Sequence, residues 1–581
     1  MPRRRYVRHT EEFERIANLP RRRVTREDAE LWSEVLTPIY RRNNPKEQHA
    51  LLPWQALALA EAEECQGALL GFPVGTGKTL IYELAPAALK SRKAVLLLPA
   101  ALREKTYDDR RAYAKTWKIA SPPARILTKE ILYSEANQYL LDHIEPDLIL
   151  VDEGDELANT NASTTKRIDR YITKNRATYP PGHPKRVRVI IGTGTLSRQS
   201  IMGYWHLVMW THGYWEDRPP LPFNRSEAHL WASALDHSKG AKAHPGPLGT
   251  TLANARAWYR ERLSETPGVI LVDEDSCKAP LTIHVQLAQE DPKMDEAFKT
   301  LLKDGKNPRG IPITDPLSRW RADGQAGCGL TLYWDPPPPE DWYEARCQFA
   351  RFARSVIDQS AASARPLDTE AQVVRRHQDN PIVEQWLKLK PSYDPEKHTK
   401  AEWCTGSAIN TAIAWLNYVE ELGERGILWC GTAEFGERLA KETGLSYYAS
   451  KGRDQNGRLL IRADPNEHLI SSAHANKRGF NLQAWGHQAF IHPPQSSKEL
   501  EQVFGRGHRQ GREDPVHLYF IATSGGTLDA FDTAVGEAGF ASTTVGMTQK
   551  ILRANIVRSE PTITASNRYR WARKDKSAFA Y

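Results

Sequence analysis

Residues 67–79 read Gly67-Ala-Leu-Leu-Gly71-Phe-Pro-Val-Gly75-Thr-Gly77-Lys78-Thr79, and the helical run LIYELAPAALK follows directly. An apolar strand, a glycine-rich turn and a helix in that order build a phosphate cradle. The glycines let the backbone curl until its N–H groups face phosphate oxygens, and the helix N-terminus adds partial positive charge. Gly75, Thr76 and Gly77 form the curl, Lys78 would reach the outer phosphates, and the Thr79 hydroxyl would ligate Mg2+. Phe72 stands where the strict G-x-x-x-x-G-K-T pattern has its first glycine, so the reading rests on G-x-G-K-T and its strand–turn–helix setting.

Working outward, Leu148-Ile-Leu-Val151-Asp152-Glu153-Gly154-Asp155 runs four apolar residues up a buried strand and delivers acids at its C-terminal end. Ligands bind at that end in open α/β sheets. Asp152 can hold the water shell of Mg2+, and Glu153 can orient and deprotonate an attacking water. Asp152 lies 74 residues after Lys78, which strengthens the pairing of the two elements.

Short apolar runs at 68–70, 94–98, 148–151 and 187–191 alternate with helical patterns, and a second alternation has runs at 427–430, 469–472, 489–492 and 516–521. Such runs indicate parallel sheets covered on both faces, so two α/β units are expected. Between them, 268–272 and 282–287 read as a strand pair. The tetraproline 336–339 must be extended, because proline lacks the donor of a helix or ladder. Trp342, Ala345, Phe349, Phe352 and Val356 recur at steps of three and four, one apolar helix face that reads as core.

A chain of 581 residues is too long for one ordinary core. No run of 18 apolar residues is present, so no membrane span is expected, and the basic start lacks the apolar stretch of a secretory signal. Six dispersed cysteines without a C-x-x-C pair exclude a disulfide framework and point to a reducing cytoplasm. No histidine pair has zinc spacing and no nucleophile elbow is found, which leaves Mg2+ as the expected metal. The net charge of +8 is uneven. Residues 1–26 carry nine arginines against three glutamates, and 551–581 carry seven basic residues against two acidic. These basic ends, with Arg568, Arg570, Trp571 and Arg573 interleaving charge and aromatic surface, would suit a polyanion.

Several of these stretches, with others, resemble the superfamily 2 helicases and their Swi/Snf-type translocase relatives. Asp152-Glu153-Gly154-Asp155 is similar to the D-E-x-D/H box. Leu52-Pro53-Trp54-Gln55 resembles the segment whose glutamine recognises adenine, and Leu96-Leu97-Leu98-Pro99 the strand and turn leading to a nucleic-acid contact. Ile191-Gly192-Thr193-Gly194-Thr195 resembles the element that couples hydrolysis to lobe movement, with Leu196 in place of the usual proline. Gln502-Val-Phe-Gly505-Arg506-Gly-His508-Arg509 fits Q-x-x-G-R-x-x-R, and the stretch through Gly479 and Asn481 resembles a segment touching nucleotide and nucleic acid. The set is most similar to phage- and prophage-encoded members.

The resemblance implies two tandem RecA-like lobes, ATP and Mg2+ as cofactors, and hydrolysis by Lys78, Glu153, Gln502, Arg506 and Arg509. Gln55, Gly75 to Thr79, Gly479 and Asn481 would hold nucleotide, Thr79 and Asp152 the metal. Asp155, Thr193 and Thr195 would couple turnover to motion. Expected domains are a basic arm (1–45), lobe 1 (46–215), a linker or helical segment (216–264), lobe 2 (265–550, with an insertion at about 295–400) and a basic aromatic tail (551–581). The implied function is a DNA helicase or translocase, with RNA an open alternative substrate. A double-strand translocase without strand separation and a nucleotide-gated clamp are the rival readings.

Overall fold

The computed structural model describes residues 5–43, 49–73, 75–196, 199–236, 243–274, 277–288, 291–306, 313, 316–360, 363, 366–477, 480–491, 494, 496–523 and 525–558. The molecule is α/β, with two parallel sheets flanked by helices. The first sheet comprises β1 (Gly67–Gly71), β2 (Ala94–Leu98), β3 (Arg125–Thr128), β4 (Leu148–Val151), β5 (Arg188–Thr193) and β6 (Val269–Leu271), ordered β3-β2-β4-β5-β1-β6. Alternate residues of each strand enter opposite layers. Leu69, Leu97, Ile149 and Ile191 face one apolar cluster, and Leu70, Leu96, Leu150 and Ile190 face another. Burial on both faces explains why these strands are unbroken apolar runs.

The second sheet contains β7 (Leu281–Leu287), β10 (Gly426–Cys430), β11 (Tyr447–Tyr448), β12 (Leu469–Ser472), β13 (His487–Phe490), β14 (Val516–Ala522) and β15 (Asn555–Arg558). Its order is β11-β12-β10-β13-β14-β7-β15. A separate antiparallel pair joins β8 (Leu330–Trp334) to β9 (Thr399–Trp403). Among the described residues, no helix is long and apolar enough to cross a membrane.

Several boundaries differ from the sequence expectation. Residues 268–272 and 282–287 do not pair: β6 lies beside β1 in the first sheet, and β7 lies between β14 and β15 in the second. The chain therefore leaves the first sheet after Leu271 rather than near 215. Residues 216–264 form the helical segment of that expectation, Arg225–Leu235 and Leu252–Ser264, rather than a free linker. Trp231, Leu235, Tyr259 and Leu263 lie in the first sheet's own core, with Phe540 and Met547 from the far end of the chain. The insertion is narrower than 295–400, because Met294, Phe298, Leu301 and Leu330 pack on the second sheet. Beyond β8 a small core of its own gathers Trp342, Ala345, Phe349 and Trp386, with Phe352 and Val356 against it, as the helical stripe predicts.

The ends also differ. The arm forms two helices, Glu11–Ala17 and Arg26–Tyr40, and Phe13 and Ile16 are buried in the first core. The expected tail begins inside the helix Lys550–Arg553 and continues into β15. Arg568, Arg570, Trp571 and Arg573 lie outside the described residues, as does Gly479.

Candidate nucleotide site and inter-lobe cleft

β4, β5 and β1 are neighbours, so the D-E-G-D turn, the Thr193 turn and the phosphate loop emerge together from the C-terminal ends of three adjacent strands. The loop relies on glycine: Gly75 and Gly77 have φ of 94° and 77°, which disfavours side chains. Gly77 caps the helix Lys78–Ala88. The Lys78 ammonium donates to the carbonyls of Phe72 at 2.8 Å and Pro73 at 3.2 Å. Gln55 is buried and braces the same loop. Its Nε2 donates to the Gly77 carbonyl at 3.2 Å, and its Oε1 accepts the Leu52 N–H at 2.9 Å.

Asp152 Oδ1 accepts the Glu153 N–H at 3.0 Å and the Tyr82 hydroxyl at 3.3 Å. Burial, reinforced by the Asp152 and Glu153 charges, pushes the Tyr82 phenol well up from its ordinary pKa. Gly192 admits that ring, since a Cβ there would meet the Tyr82 oxygen at 2.0 Å and Lys78 Cδ at 3.1 Å. Thr193, fully buried, donates to Asp155 Oδ1 at 3.0 Å and accepts the Thr195 N–H at 3.1 Å.

The second lobe reaches this turn through Lys498, on the helix Ser497–Gly507, which pairs with Asp155 Oδ2. Glu537 makes a further bridge. One oxygen accepts Gln199 Nε2 of the first lobe at 2.5 Å, and the other accepts the Ser497 N–H at 3.0 Å. Arg506 is buried and donates to the carbonyls of Gln502 at 3.0 Å and Phe480 at 3.2 Å. Desolvation lowers the Arg509 pKa, and Asp109, on the first-lobe helix Arg103–Thr116, opposes that shift by its charge. Asn481 is exposed, and Pro99 is buried, which leaves Ala100 and Ala101 as the exposed part of its turn.

The structure thus brings Lys78, Thr79, Asp152, Glu153, Asp155, Thr193 and Thr195 to one sheet edge. Sequence reasoning missed Lys498, Glu537 and Lys129, whose ammonium donates to the Glu153 carbonyl at 2.7 Å. Lys498 had one available signal, its place four residues before Gln502 on a helix that begins within the second lobe's motif region.

The residues fit a magnesium nucleotide. The Thr79 hydroxyl and Asp152 carboxylate are hard oxygen donors, suited to an ion that keeps phosphate and water oxygens as its other ligands. Lys78 and a helix N-terminus concentrate positive charge on a loop whose glycines leave room for a close anion. Gln502 Oε1 is buried without a hydrogen-bond partner in the second lobe. Among the described residues, no cluster of three or more His, Cys, Asp or Glu could hold a metal without such outside oxygens. Compared with models of known protein families the chain matches none, and no curated protein matches it in sequence.

Proposed function

We propose that the chain is an ATP-dependent nucleic-acid motor of the superfamily 2 and Swi/Snf kind, in which the two sheets act as RecA-like lobes. DNA is the proposed track and helicase or translocase movement the output. The observation that carries this reading is Asp155. One carboxylate of the hydrolysis turn accepts Thr193 from its own lobe and pairs with Lys498 of the other. A change at the γ-phosphate is thereby one side chain away from a lobe–lobe contact.

On this reading Lys78 offsets charge on the outer phosphates, and Thr79 and Asp152 would hold Mg2+. The bound ion would supply charge compensation to the phosphates. Glu153 takes the proton of the attacking water. Arg506 and Arg509 complete the positive field only after leaving the Gln502 and Phe480 carbonyls and the neighbourhood of Asp109, which makes turnover conditional on lobe movement.

The test is phosphate release from ATP with single-stranded DNA, duplex DNA and RNA at two salt concentrations. Stimulation by DNA that disappears in Lys78→Ala and Glu153→Gln supports the motor. Turnover stimulated by none of the three polymers refutes it in favour of a nucleotide-gated clamp. Strand displacement measured beside triplex displacement then separates helicase from double-strand translocase.

A further inference from the structure

We infer that Lys129 is a positioning residue for hydrolysis that holds Glu153 in its working conformation and, through Glu130, ties it to the turn at residues 99–102; this rests on the ATPase reading above. Glu153 sits at φ 50°, ψ 56°, a left-handed conformation that costs a non-glycine residue free energy and needs support from its surroundings. Gly154 lies against Ile191, where a Cβ would meet Cγ2 at 2.2 Å, so the turn is confined on the β5 side.

The Glu153 carbonyl accepts two donors, the Glu156 N–H at 3.1 Å and the Lys129 ammonium at 2.7 Å. The second bond is charge-assisted and buried, and the same ammonium pairs with Glu156 Oε2 at 2.9 Å. Holding that carbonyl fixes the plane of the following peptide. It thereby fixes ψ of Glu153 and the direction in which its side chain leaves the turn.

Lys129 opens the helix Lys129–Tyr133 directly after β3. Its neighbour reaches the other way: both Glu130 carboxylate oxygens lie 3.2 Å from the Ala100 N–H. Ala100 is exposed in the turn after β2 that leads to the nucleic-acid contact on the proposed reading. Two consecutive residues therefore connect an exposed backbone turn to the backbone of the hydrolytic carboxylate. A polymer that shifts the 99–102 turn moves Glu130, hence Lys129, hence Glu153. This supplies a route by which track binding stimulates turnover.

The experiment uses the full chain as wild type, Lys129→Met, Lys129→Arg, Glu130→Gln and Glu153→Gln. ATP hydrolysis is measured with and without whichever DNA stimulates it, and affinity for a fluorescent ATP analogue is measured in parallel. Lys129→Met is expected to lower stimulated kcat about tenfold or more, with KM for ATP and analogue affinity held within about twofold. Lys129→Arg is expected to recover most of the rate, and Glu130→Gln to lower the ratio of stimulated to unstimulated rate. Wild-type kcat in Lys129→Met, or a raised KM with kcat preserved, overturns the inference. If Lys129→Met does not fold, an unchanged stimulation ratio in Glu130→Gln overturns the relay. Activity surviving in Glu153→Gln refutes Glu153 as the group that takes the water proton, and absence of ATP hydrolysis in the wild type refutes the ATPase reading, whereas an inactive Glu153→Gln beside a normal Lys129→Met refutes only the positioning role.

Discussion

Several polar contacts fasten the insertion to the first lobe, Thr369 and Arg375 to Glu135 and Gln372 to Gln138 among them, and the buried ion pair of Arg167 with Asp368 is the one whose loss should loosen the attachment most. Asp368 precedes the helix Glu370–Arg376 and meets Arg167 in two parallel bonds, 2.7 Å from Nε and 2.6 Å from Nη2. Their side chains are 3% and 1% exposed. Arg167 also donates to the Ser134 carbonyl at 2.6 Å and to the Leu132 carbonyl, so it is locked in the first lobe before the insertion arrives. Asp368→Ala leaves that guanidinium buried without its counter-charge. Removing one member of a buried pair costs about 3–5 kcal/mol, or roughly two to three and a half orders of magnitude in the local opening equilibrium. A chain with two sheets and a separate insertion core is not expected to unfold in one step, so a single melting point is the wrong assay. Amide exchange in 370–376 and 132–138 reads the local opening directly. Exchange there should accelerate by the stated factor while the centres of β4 and β10 keep their protection. Arg167→Met combined with Asp368→Leu should restore most of it, because apolar partners carry no stranded charge. Acceleration below about fivefold in Asp368→Ala, roughly 1 kcal/mol, would refute the view that this pair holds the insertion down.

Two further perturbations probe the second lobe. His284, His487 and His517 come together on neighbouring strands, with His284 Nε2 and His517 Nδ1 3.1 Å apart and the His487 and His517 rings stacked at 5.0 Å. Burial lowers all three pKa values, helped at His487 by the other two and by Arg512, and it brings His487 down to about 4. Glu424 opposes the shift at His517. The unfolded chain binds protons that this cluster refuses, so stability is complete above the ordinary histidine range and is lost as pH falls from about 6.5 towards 4. His487, brought lowest, carries the largest part of that loss; a second-lobe unfolding midpoint that does not move between pH 7 and pH 4.5 contradicts it. Lys498→Met removes the cation that pairs with Asp155 from the second sheet's side. On the motor reading proposed above, DNA-stimulated turnover should fall about tenfold while nucleotide affinity stays constant, and a loss of affinity instead would place Lys498 in nucleotide binding rather than in coupling.

The parts of the fold that the sequence disclosed are those with one local cause. β1, β2, β4 and β5, and β10, β12 and β14, are central strands buried on both faces, so each contains an apolar run visible by itself, whereas β13, equally central, opens on the polar pair His487-Gln488 and shows only its second half. β3, β11 and β15 lie at or near sheet edges, and Arg125 and Asn555 to Arg558 face solvent. Their runs are short and partly polar, and periodicity does not mark them. β6 failed for another reason. It was recognisable as a strand, yet nothing within Val269-Ile-Leu says that it joins the first sheet, whereas β7 falls in the second sheet, where the expected boundary at 265 puts it. Partner choice belongs to residues far away, as when Glu61 accepts the Gly268 N–H from the helix before β1. The candidate site divides the same way. Lys78 to Thr79 and Asp152 to Asp155 are contiguous motifs whose chemistry is local. Lys129, Lys498 and Glu537 act on those motifs from other elements, through single polar contacts that leave no pattern in the chain.

Charge shows most sharply why such contacts must be seen in three dimensions. Nine arginines in residues 1–26 suggest a grip for phosphates when counted alone. In the folded chain Arg15 pairs with Glu12, Arg21 with Glu261 and Glu265, Arg22 with Glu61 and Glu64, Arg23 with Glu265, and Arg26 with Glu30. Arg15 also donates to the carbonyls of Asp217, Pro219 and Leu221, which fastens the arm to the first lobe. A guanidinium already matched to a carboxylate releases no counterion when DNA arrives unless that match is first broken. These five arginines therefore add less to the salt dependence of a polyanion complex than a count along the chain suggests, because each already has a partner within the protein. Arg21 and Glu261 stand 240 residues apart, two independent charges in any count along the chain, and the fold makes them one pair.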